Sequence, residues 1–165
     1  MKRLSLFAVA LAFVAAGCSK SSTSASNTPT KPTFTAALSA ANEVPPIAGP
    51  EAGGRGDATI TIDQTAATVT FVVNINGLPA GTPINIAHIH EAAAGTNGSV
   101  RVATTLSAGQ VTVGSAGTAS FTSVATGVDA ALMQAIINNP AGFYFNAHST
   151  LNPGGVVRGQ LVKVN

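Results

Sequence analysis

From residue 33 onward, apolar residues recur at every second position in short runs, and no other feature limits the fold so tightly. In 57–63, Ala58, Ile60 and Ile62 fall on one side of an extended backbone, while Asp57, Thr59, Thr61 and Asp63 fall on the other. Val69, Phe71, Val73 and Ile75 repeat the pattern in the next run, which Asn76-Gly77 ends. Period-two alternation of this kind marks half-buried strands. Further strands are expected over 34–39, 84–90, 100–106, 118–124, 142–148 and 156–164. Turn sequences separate them: Pro45-Pro46, Gly53-Gly54, Leu78-Pro-Ala-Gly81, Gly95-Thr-Asn-Gly98 and Asn152-Pro-Gly-Gly155. About eight short strands so spaced predict an all-β domain over 33–165, a Greek-key sandwich or barrel. One segment differs. Asp129 can N-cap a short helix near 129–138 with Leu132, Met133, Ile136 and Ile137 on one stripe, stopped by Asn139-Pro140.

The first 32 residues read as an address and a tether. Lys2 and Arg3 precede an uncharged apolar stretch, 4–16, too short to span a bilayer but sized for a signal-peptide core. It runs into Ala15-Ala16-Gly17-Cys18, similar to a bacterial lipobox. Residues 1–17 are therefore expected to be a lipoprotein signal peptide, with Cys18 acylated and anchoring the chain to a membrane of the cell envelope. Residues 18–32, rich in Ser, Thr and Pro, are expected to form a tether. Without Lys2 and Arg3, six basic residues face six acidic ones. A nucleic-acid partner needs a basic cluster, and the chain has none.

All three histidines fall in two strand segments, Ala87-His88-Ile89-His90-Glu91 and Tyr144-Phe-Asn-Ala-His148. Residues two apart on a strand share a face, so His88 and His90 can converge on one ion. His148 from a neighbouring strand would complete a three-histidine site with an open position, as in zinc enzymes. The alternative is structural: buried imidazoles tied to backbone carbonyls or to Asn and Glu side chains. Both readings stay open on the residues alone. Arg158 shares a face with Val156 and Gln160, and a buried Arg there would clamp loop carbonyls or hold an anion. No Ser sits in a nucleophile elbow, and Arg55-Gly56-Asp57 is best read as a turn entering a strand.

Taken together, Asn42-Glu43-Val-Pro-Pro46, Ala87-His-Ile-His90, Tyr144-Phe-Asn-Ala-His148 and Pro153-Gly-Gly-Val-Val-Arg-Gly-Gln-Leu161 resemble the CHRD domain, named for chordin. The resemblance covers 34–161 and implies an all-β extracytoplasmic domain of undefined activity. It marks Glu43, Pro45, Pro46, His88, His90, Tyr144, Asn146, His148, Arg158, Gly159 and Gln160. Where the family usually has Glu or a similar polar residue, this chain has Val156. The strand His88-Ile-His-Glu91 is also similar to the copper-ligand strand of copper/zinc superoxide dismutases, which need more histidines and usually a disulfide. The expected function is a non-enzymatic binding or structural module of the cell envelope. The alternative is binding of copper, or zinc second, by His88, His90 and His148. Glu91, Tyr144, Asn146, Arg158 and Gln160 would then stand around the ligands, and a redox enzyme is the most distant reading.

Overall fold

The computed structural model describes residues 31–164. The expected signal peptide, Cys18 and nearly all of the tether lie outside the described residues. The strands are β1 (Thr33–Ser39), β2 (Arg55–Asp63), β3 (Thr68–Asn76), β4 (Pro83–Glu91), β5 (Ser99–Ala103), β6 (Val111–Thr112), β7 (Thr118–Thr126), β8 (Phe143–Ser149), β9 (Val157–Gln160) and β10 (Val162–Lys163). They form one antiparallel sheet in the order β5-β4-β8-β9-β1-β2-β3-β7, with β10 added to β1 and β6 to β4. The fold is all-β, as expected, with two very short strands beyond the eight. The two ends of the sheet approach each other without a backbone ladder. Thr105, just past β5, meets Ser123 Oγ of β7 through its backbone N (2.8 Å) and its hydroxyl (2.9 Å). The result is a nearly closed barrel.

Alternation decides what fills it. Ala58, Ile60 and Ile62 of β2 and Val69, Phe71 and Val73 of β3 are fully buried, and their neighbours in sequence face outward. Phe34, Phe71 and Phe145 bring aromatic bulk from three strands, the last two with ring centroids 5.9 Å apart. The helix α1 (Ala130–Asn138) forms as expected. Asp129 caps it by accepting from Leu132 N at 2.9 Å, and Met133 and Ile136 are fully buried.

Two strand boundaries differ from expectation. The run 156–164 divides at Leu161, because the ladder changes partner there. Up to Gln160 it pairs with β8; beyond, β10 pairs with β1 alone. The run 100–106 stops pairing at Ala103, where Thr104 turns back to the Ala87 carbonyl through both its N–H and its hydroxyl. A third difference matters more. Every residue of β8 is buried, and three of the four in β9. One face of these strands packs on the core; the other is roofed by the connections 40–51, 92–98 and 150–155.

Candidate metal centre

The roofed face is built by register. Across β4 and β8, His88 lies opposite Asn146, His90 opposite Tyr144, and Ile86 opposite His148. Across β8 and β9, Tyr144 lies opposite Gln160 and Asn146 opposite Arg158. Directly opposed residues share a face, so these polar side chains gather in one patch, while Phe145, Ala147 and Ile89 point into the core. Irregularities in register on both sides of β4, between Ile84 and Ile86 and between Ile89 and His90, re-aim its side chains locally.

Within the patch the three histidines converge, with ligand nitrogens within 4.8 Å of one another. His88 Nδ1 lies 3.2 Å from His148 Nε2, a hydrogen bond between the two rings and a separation close to the roughly 3.3 Å that two nitrogens adopt on one tetrahedral ion. Backbone carbonyls set the tautomers of the other two rings. His148 Nδ1 is 2.8 Å from Pro153 O, and His90 Nδ1 is 3.0 Å from Gly98 O. A carbonyl only accepts, so both Nδ1 atoms carry the proton and both Nε2 atoms keep a lone pair. His90 Nε2 is buried and has no partner. Second-atom donation to a carbonyl is the usual support of a metal-ligating imidazole. Burial, with repulsion from the neighbouring rings, drives the His88 pKa down to about 4. Burial also lowers that of His148, outweighing the opposing effect of the Pro153 carbonyl. Both rings therefore stay neutral, the form that ligates.

The two carbonyls are themselves fixed. A Cβ on Gly98 would fall 2.0 Å from Glu91 O, so only glycine allows the loop to lie that close to His90. On the other side, buried Glu51 accepts from Ser149 Oγ (2.6 Å) and Asn152 Nδ2 (2.5 Å), which pins the turn that carries Pro153.

A family model described as the CHRD domain matches residues 34–161. The chain belongs to the CHRD family. No curated protein gives a significant match.

Beside the histidines the CHRD domain buries a second group of polar side chains. The Tyr144 ring stacks on His90 (centroids 4.8 Å apart, planes 5° off parallel), and the Arg158 guanidinium lies 3.6 Å from the Tyr144 centroid. Arg158 is 1% exposed, yet no carboxylate salt-bridges it among the described residues. It donates instead to Thr96 O (2.7 Å) and Asn97 Oδ1 (3.0 Å), the clamp on loop carbonyls that its position suggested. Gln160 Nε2 reaches the carbonyls of Ala92, Ala141 and Phe143. Glu43 accepts from Asn146 Nδ2 at 3.0 Å. Burial raises its pKa to about 7, against the opposing pull of Asn146 and Arg158. A cleft of about 630 Å³ opens beside Glu43 and Arg158. None of the three histidines lines it, so the cavity and the donor set are separate.

Of the residues singled out in the sequence, His88, His90, His148, Tyr144, Asn146, Arg158 and Gln160 share the roofed patch. Glu91 lies apart, exposed and paired with Arg101 at 2.6 Å. Cys18 is outside the described residues. Val156 is fully buried in the hydrophobic core, so the position where the resemblance implies a polar residue carries no charge here. Sequence reasoning missed Glu51 and the carbonyls of Gly98 and Pro153. Both carbonyls sit in Gly- and Pro-rich turns that were legible only as punctuation.

Proposed function

We propose that this chain is an exported, lipid-anchored CHRD protein whose domain binds one transition-metal ion through His88, His90 and His148. It would act as a non-enzymatic binding module of the cell envelope. The observation that carries the metal reading is the buried, unpartnered Nε2 of His90, in a ring that converges with two other imidazoles. A structural histidine is expected to use both nitrogens; this one uses one. Three imidazoles with neither thiolate nor carboxylate favour copper, with zinc second, by the general order of divalent affinities. The anchoring rests on the sequence 1–18 alone, and acyl chains at Cys18 would hold the domain at a membrane through the 18–32 tether.

Titration of the purified full chain with Cu²⁺ and Zn²⁺ tests the metal reading. One ion per chain is expected, with affinity lost in the His88→Ala/His90→Ala variant and falling as pH drops toward about 4, where the buried His88 takes up a proton. Equal, weak binding by both proteins overturns it and leaves a purely structural CHRD module. Anchoring is checked separately by fractionation: Cys18→Ser should move the protein out of the membrane fraction.

A further inference from the structure

The patch holds a second orphan. Asn146 Oδ1 is buried without a hydrogen-bond partner, in a residue 2% exposed. A bare amide oxygen in a buried site loses its hydration with nothing in return. Its surroundings suggest what is missing. Asn146 stands directly across from His88 and two residues before His148 on the same face, so two of the three candidate ligands flank it. Its own orientation is fixed. Nδ2 donates to Glu43 Oε1 at 3.0 Å, which turns Oδ1 away from Glu43. Gly155 locks that pair from above: a Cβ there would lie 2.1 Å from Asn146 Nδ2 and 2.6 Å from Glu43 Oε1, at a φ of +138°. An acceptor so held, beside three imidazoles and with no donor of its own kind, calls for a proton brought by something else.

We infer that Asn146 Oδ1 accepts a hydrogen bond from the ligand at the ion's open position, which selects a protic oxygen species there, water, hydroxide or hydroperoxide, over an aprotic anion. This rests on the three-histidine metal reading and deepens it. A water on the ion has a proton to give; azide or chloride has none and would leave Oδ1 bare. Sites built around a hydrogen bond discriminate strongly against analogues that lack it.

The test uses the full chain loaded with Cu²⁺ or, for its visible spectrum, Co²⁺, with azide as the aprotic probe. In Asn146→Leu, which keeps the volume and removes the acceptor together with the Nδ2 donor to Glu43, azide should bind about tenfold or more tighter than in the unmodified protein. Uptake of one ion per chain should persist, with any loss of metal affinity within the roughly 10–100-fold typical of a residue one shell out from the ion. If Asn146→Leu does not fold, Asn146→Val, a smaller strand former, is read the same way. Unchanged azide affinity overturns the inference alone. So does loss of stoichiometric metal uptake in Asn146→Leu, which would make Asn146 a direct ligand. Failure of the unmodified protein to take up either ion overturns the metal reading, and this inference with it.

Discussion

The two sides of this barrel obey different rules of burial. In β2 and β3 each strand has one apolar face on the core and one polar face in solvent; Thr59, Thr61 and Thr70 are half-buried at most. In β8 and β9 nearly every residue is buried, and the face turned from the core carries Tyr144, Asn146, His148 and Arg158. A chain with only 8% charged residues has placed a buried Arg, two buried Glu and all its histidines on that one side. Burying such groups is costly unless each is hydrogen-bonded. Nearly all are, and among the described residues the two buried side-chain atoms left over are His90 Nε2 and Asn146 Oδ1. The difference shows where the molecule carries polar groups that packing alone does not require.

The sharpest contrast is between two arginines. Arg158→Ala removes a buried charge donating to Thr96 O and Asn97 Oδ1 and lying on Tyr144. It should destabilise the fold by about 3 kcal/mol in denaturant unfolding. Arg55, exposed at the start of β2, donates only to Gly53 O at 3.2 Å. Arg55→Ala should change stability by less than about 0.5 kcal/mol. Similar losses from the two would erase the distinction between the sides.

How much of this was legible follows the same division. On the β2–β3 side, period two named the core: Ala58, Ile60, Ile62, Val69, Phe71 and Val73 lie where alternation put them. The helix cap at Asp129 was readable because its chemistry is local. On the β8–β9 side, alternation still separated Phe145 and Ala147 from Asn146 and His148, but it reads a polar face as solvent-facing. Only tertiary structure shows that loops cover it. The histidines were legible as a set because two were two apart and the chain has no others. Their support was not, since Gly98 O and Pro153 O are backbone atoms that no side-chain pattern reports. Glu51 holds its partners 98 and 101 residues away in sequence, a closure that no local signal reports.

A pH titration of stability probes how the roofed side is balanced. His88, near 6.5 when unfolded and about 4 when folded, resists protonation in the folded state. Its contribution is complete above about 6.5 and is lost as pH falls toward 4. Glu43 has the opposite sign: near 4.5 unfolded and about 7 folded, it costs stability as pH rises through that window. Between about 4.5 and 6.5 the two oppose each other, and the lowered pKa of His148 adds to the fall on acidification. Glu43→Gln keeps an acceptor for Asn146 Nδ2 but removes the titration. Its melting temperature should drop more steeply than that of the unmodified protein from pH 6.5 to 4.5. Parallel curves would show that Glu43 does not titrate against the histidines.

The smallest effect is expected where the barrel is simplest. Val72 is 43% exposed on the outer face of β3, opposite Thr59 and Thr122, whereas the next residue, Val73, is fully buried. Val72→Thr exchanges one β-branched side chain for another in a position already flanked by threonines. Strand propensity is kept, the new hydroxyl meets water, and stability should move by no more than about 0.5 kcal/mol. The identical exchange one position on, Val73→Thr, places a hydroxyl in the core and should cost about 1–3 kcal/mol. The two substitutions differ only in the face they reach. If Val72→Thr proves as damaging as Val73→Thr, something covers the β2–β3 face in solution, and the contrast between a bare side and a roofed side fails.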